Sequence, residues 1–306
     1  TLLTPVDDTD PARVWTTVAT GQPPERHGIR SLQNREVAGL AGRLGPGSPA
    51  ASVVVAVTDL LRLTRPAIAS GTERRVPALW EIAGRAGLRT AVIHWWATWP
   101  PARDLGTVIT DRALLRLERG GDVNGEIEPA SLYTALLSTW PERRARAAAA
   151  ALMLPIDGLP ADLSDVMRRS ATLDATLAHL AADASLDSMD LVALYLPGLD
   201  IVQHAIKSGV AAPMAGSEAP DTGAALERYC QFLDGLLAPL AAPTPAGSRT
   251  LVLVTQPGRV RTPSAGLLAI AGAPAAIAAS GSEVPVTAVL PTVLHLLGVP
   301  VAEDLA

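Results

Sequence analysis

Two stretches of the chain carry residue types that could do chemistry. The first runs Val14-Trp15-Thr16-Thr17-Val18-Ala19-Thr20-Gly21 and continues through Pro23-Pro24-Glu25-Arg26-His27-Gly28-Ile29. A threonine hydroxyl is a weak nucleophile at neutral pH and needs a base or a metal to stabilise its alkoxide. Without such partners, hydroxyls in a threonine-rich turn cap a helix. The second stretch, Tyr195-Leu196-Pro197-Gly198-Leu199-Asp200-Ile201-Val202-Gln203-His204, follows an apolar run. An aspartate and a histidine four apart share one helical face, a spacing that suits two ligands of one ion. A bare pair of this kind is usually a helix cap and a surface histidine.

A third stretch, His94-Trp95-Trp96-Ala97-Thr98-Trp99-Pro100, places three tryptophans within five residues of a chain that is only 3% aromatic. They either fill the end of a core or line a site.

Such residues need strands and helices to position them. Short β-branched runs alternate with longer helical patterns, which predicts an α/β fold with a mostly parallel central sheet covered by helices on both faces. The expected strands are Thr90–His94, Leu191–Leu196, Thr250–Thr255 and Leu267–Ala271. The expected helices are Pro77–Ala86, Pro129–Ala151, Leu163–Ala182, Ala224–Leu240 and Val286–Leu297. Residues 114–185 show no strand pattern and are expected to form a helical insertion or cap within a single domain spanning 1–306. Ligands of such folds gather just beyond the carboxyl ends of the strands, where the three stretches fall.

Composition narrows the classes. Of 306 residues 48% are hydrophobic, enough for a large core and incompatible with general disorder. A formal net charge of -5 removes the electrostatic footprint of a nucleic-acid binder. One cysteine, Cys230, excludes an intramolecular disulfide framework and a thiolate metal cluster. The most apolar late stretch, 266–279, is broken by Gly272 and Pro274 and is too short to span a bilayer. No signal peptide is visible, and the expected setting is cytoplasmic.

The order of these motifs resembles the type I phosphodiesterase and nucleotide pyrophosphatase branch of the alkaline phosphatase superfamily. There a Trp-Thr-Thr-x-Ala-Thr-Gly run precedes a Pro-x-x-His-Gly-Ile turn, and a Trp-Trp-Ala-Thr-Trp-Pro run and a metal-binding Asp-x-x-x-His follow. The resemblance implies an alkaline phosphatase-like fold, Thr17 as nucleophile, Asp200 and His204 as metal ligands, and a small phosphate ester or diester as substrate. It places His27 in a turn, satisfying backbone groups there.

The pattern also breaks. Where relatives carry Ser-Asp-His-Gly, this chain has Thr255-Gln256-Pro257-Gly258, and the position of a further histidine is Thr262. The relatives' remaining ligand, an aspartate closing a first strand, has no counterpart, because residues 1–10 hold no apolar run and Asp7, Asp8 and Asp10 stand too close to Thr17. The expectation is a domain lacking its first strand and binding at most one divalent ion, zinc or manganese, at Asp200 and His204. Trp96, Thr98, Gln256 and Thr262 are expected to line the substrate. The implied activity is reduced hydrolysis, with a pseudoenzyme that binds a phosphorylated ligand or a protein partner as the alternative.

Overall fold

The computed structural model describes residues 1–3, 10–37, 43–44, 64–123, 125–183, 188–208, 222–242, 249–255, 266–272 and 283–305. Its strands form three sheets. One is ordered β7 (Ile127–Glu128), β6 (Thr107–Ile109), β5 (Thr90–Ile93), β8 (Leu191–Leu194). A second is β11 (Glu283–Val284), β1 (Leu2–Leu3), β10 (Gly266–Ala271), β9 (Leu251–Thr255). The third is β3 (Arg43–Leu44), β2 (Gln33–Val37), β4 (Thr64–Ile68).

The α/β class stands, but the expectation of a mostly parallel sheet is corrected. Among the described residues only β5 with β6, β5 with β8, and β1 with β11 pair in parallel. β1 with β10, β10 with β9, β6 with β7, and β2 with both β3 and β4 pair antiparallel. The physical reason is connection length. Between Thr255 and Gly266 lie only residues 256–265, and a parallel crossover needs about a dozen residues or more, usually a helix. The two strands therefore fold back on each other, Leu267 opposite Thr255. Strand β7 lies inside 114–185, where no strand was expected. β1 carries no carboxylate.

The helices follow local chemistry. α1 (Pro11–Thr20) starts on Asp10, whose Oδ1 accepts from the amides of Ala12 at 3.0 Å and Arg13 at 3.3 Å, with Pro11 at the first position. It stops at Gly21, held at φ 62, whose N–H returns to the Thr17 carbonyl. α2 is the short turn Pro24–His27 and α3 is Leu79–Arg85. The cap region holds α4 (Ala113–Arg119), α5 (Ala130–Ser138), α6 (Trp140–Ala151) and α7 (Ala161–Asp183). The helix expected over Pro129–Ala151 is broken at Thr139, because Pro141 has no N–H to give and its ring meets the carbonyl four residues back. α8 (Gly198–Lys207), α9 (Thr222–Ala241) and α10 (Val289–Leu296) complete the set.

The main core joins α1 to the ends of β5 and β8. Trp15, Val18, Trp80, Val92, Ala193, Leu290 and Leu294 are buried there, each large aliphatic side chain worth roughly 1.5–3 kcal/mol. Asp10 ties this core to the next segment, since its Oδ2 accepts from the Ser31 hydroxyl at 3.1 Å and the Leu32 amide at 2.8 Å. Replacing Asp10 by alanine removes the cap and these links together, and a urea titration is expected to show a loss of about 2 kcal/mol.

Candidate functional site

The threonine run is helical, not a turn. Thr16, Thr17 and Thr20 lie in α1 and donate their hydroxyls to the carbonyls four residues back, Ala12 at 2.6 Å, Arg13 at 3.1 Å and Thr16 at 2.7 Å. Thr17 has a further partner. Its Oγ1 lies 3.1 Å from Nε2 of His27, which is fully buried at the end of α2. The other ring nitrogen, Nδ1, accepts the Ile29 amide at 3.1 Å. His27 therefore satisfies the backbone of its turn, as expected, and faces Thr17 as well. No sequence pattern announced that second contact: it depends on Gly21, left-handed at φ 62 between α1 and α2, while Gly28 at φ 87 ends α2 ahead of Ile29, whose amide meets Nδ1.

The tryptophan stretch sits at the carboxyl ends of β5 and β8. Trp95 donates from Nε1 to the Trp15 carbonyl at 3.0 Å and packs edge-on to Trp15 and Trp80, with centroids at 5.6 and 5.8 Å. Tyr195, just past β8, stands 5.1 Å from Trp15 and 5.9 Å from Trp96. These rings join the strand ends to the helix of Thr17. Trp95 and Trp96 are both half-buried and pack against the core, Trp96 beside Tyr195.

Thr98 is buried and spends its hydroxyl on the turn, donating to the Trp95 carbonyl at 2.6 Å and accepting the Asp111 amide at 3.2 Å. Burial raises the Asp111 carboxyl above the ordinary range, against the pull of Arg112. The Arg112 guanidinium lies 3.9 Å over the Trp99 ring.

His94 was not singled out from sequence. It takes φ 59 immediately after β5, in the left-handed region, and its ring stacks on Tyr195 with centroids 6.5 Å apart. Burial pushes its imidazole down to about 4, so it is neutral at pH 7. A residue directly after a buried strand was the available signal.

Asp200 and His204 share one face of α8, Asp200 half-buried and His204 exposed. α8 packs mainly on α7 and α9, while α1 packs on α2, on the 286–288 turn and on α10. The link between the two helices runs through Tyr195, three residues before Gly198. Gln256 and Thr262 lie outside the described residues. A depression of about 300 Å³ lined by Leu88, Arg89, Asp104, Thr107 and Met189 opens at the amino ends of β5 and β6, the edge away from this site.

The family model for type I phosphodiesterase / nucleotide pyrophosphatase matches residues 2–262. The chain belongs to this family of metal-dependent phosphoester hydrolases. Searches of curated proteins and of solved structures return no match.

The family's metals can be tested against the residues present. Among the described residues no group of three or more histidines, cysteines, aspartates or glutamates is placed to hold an ion. Residues 256–265 contain none of these four types. Asp200 and His204 alone fall short of the three protein ligands of a catalytic zinc. Among the described residues the donor set does not fit the family's two-ion centre.

Proposed function

We propose that this chain is a phosphoester hydrolase domain of the type I phosphodiesterase class, slow relative to a two-metal site, with Thr17 as its nucleophile and a small phosphate ester or diester as substrate. The observation that carries the reading is the placement of the Thr17 hydroxyl, 3.1 Å from a buried imidazole, on a helix packed by Trp15 against the carboxyl ends of β5 and β8. Family membership supplies the reaction class. Trp96 lies at the same edge and would offer a ring face to the ester's organic part. Asp200 and His204 would hold at most one weak ion, and no step is assigned to it. Residues 114–185 would act as a cap on the sheet.

A second reading, a domain that binds a phosphorylated ligand without turnover, is favoured by the replacement of ligand residues at Gln256, Pro257 and Thr262. The two part on one experiment. Hydrolysis of an aryl phosphodiester is followed with and without added zinc or manganese, in the native chain and in Thr17→Ala. The expected result is slow turnover that falls about tenfold or more on the substitution and is little changed by metal. Turnover equal in both proteins, with retained binding of the ester, supports the binding domain. A stimulation of about a hundredfold by metal would overturn the ligand assignment.

A further inference from the structure

We infer that His27 is a positioning residue for Thr17, a fixed hydrogen-bond donor that sets the direction of the threonine proton and holds the oxygen as charge develops on it. The inference rests on the reading of Thr17 as nucleophile. Its basis is the tautomer. The Ile29 amide donates to Nδ1 at 3.1 Å, so that nitrogen carries a lone pair and the neutral ring has its proton on Nε2. Nε2–H then points at Thr17 Oγ1, 3.1 Å away. The threonine proton is directed to the Arg13 carbonyl at 3.1 Å. One lone pair of Oγ1 is engaged by His27, and the other is the one available for attack on phosphorus.

In this tautomer His27 has no lone pair facing Thr17 and is not a base. As the Oγ1–P bond forms and the bond from phosphorus to the leaving oxygen breaks in line, the hydroxyl proton turns from the Arg13 carbonyl to a phosphoryl oxygen of the ester and passes through water to the leaving oxygen, giving the free alcohol and a phosphothreonine whose Oγ1–P bond water then breaks. As the proton departs, the Nε2–H donor stabilises the alkoxide-like negative charge left on Oγ1. The donor is held rigidly. His27 is fully buried, its carbonyl accepts the Arg75 amide at 3.0 Å, and the next residue, Gly28, sits so close to the Glu73 carbonyl that a Cβ would lie 2.7 Å from it.

Two measurements test this on the full chain. Nitrogen-15 NMR of the imidazoles is expected to show His27 with an acceptor-type Nδ1 and a protonated Nε2 whose resonance moves in Thr17→Val. This arm is independent of turnover, so it separates failure of the hydrogen bond from failure of the nucleophile assignment. In the second arm, His27→Gln puts an amide N–H near the Nε2 position, whereas His27→Asn restores only the acceptor for Ile29. Turnover is expected to stay within about threefold in His27→Gln and to fall about tenfold or more in His27→Asn, in kcat and with KM nearly unchanged. A proton on Nδ1, an Nε2 resonance indifferent to Thr17→Val, or equal kcat in the two variants would overturn the inference.

Discussion

Replacing Gly198 by alanine is expected to cost about 3–5 kcal/mol of stability, a large loss for a single methyl group. Gly198 opens α8 and packs on a buried polar cluster. Its amide donates to Oδ1 of Asp174 on α7 at 3.0 Å, and the Asp174 Oδ2 accepts from the Tyr229 hydroxyl on α9 at 2.9 Å. A Cβ at Gly198 would stand 1.9 Å from the Tyr229 hydroxyl oxygen and 2.2 Å from Asp174 Oδ2. Contacts that short force the helices apart and break both hydrogen bonds, stranding a carboxyl in the core. Denaturant unfolding of Gly198→Ala, Tyr229→Phe and the double variant checks the cause. Removing the hydroxyl relieves one of the two clashes, so the double variant should lose at least about 1 kcal/mol less than the two single losses added together. Additive losses, or a cost below about 1 kcal/mol for Gly198→Ala, would mean that the close approach does not control the packing.

How much of this was legible in sequence depends on the range of the interactions. Strands β5, β8, β9 and β10 were readable from β-branched and apolar runs, because those signals are local. Their relative direction was not, since it depends on which strands meet and on how many residues join them. The break at Thr139 was likewise readable in principle from Pro141.

At the site, the motif order pointed to Thr17, but its hydrogen bond to His27 depends on the fold of a ten-residue excursion. Asp174 escaped notice because an aspartate in a long helix normally marks the solvated face. Yet Met167, Ala171, Asp174 and Ala178 recur at helical spacing and all are buried, so a carboxylate on the apolar stripe was the missed clue.

That buried carboxylate gives the second large effect, a stability that falls with rising pH. Burial raises Asp174 to about 7, against the hydrogen bonds from Tyr229 and the Gly198 amide, whereas the unfolded chain would titrate near 3.8. The folded state therefore binds the extra proton between these values. Its stabilisation is fully present below about pH 4 and is lost as pH rises through about 7. At 1.36 kcal/mol per unit the upper bound is about 4 kcal/mol.

His94 works in the opposite sense over part of the same range. Held down at about 4 by burial, it contributes stability above its ordinary value of 6.5 that is lost as pH falls. The native profile between pH 4 and 6.5 is thus flattened by two opposed slopes. Asp174→Asn keeps an oxygen for the Gly198 amide and cannot ionise, while its N–H reverses the second bond, with the Tyr229 hydroxyl oxygen now accepting. Relative to the native chain, it is expected to be similar or slightly less stable at pH 4 and to gain up to about 4 kcal/mol by pH 8, with the remaining rise between pH 4 and 6.5 belonging to His94. Urea titrations of both proteins at pH 4, 6 and 8 measure the difference directly. A difference that stays constant across the three values would show that Asp174 does not change its charge in the folded state over this range.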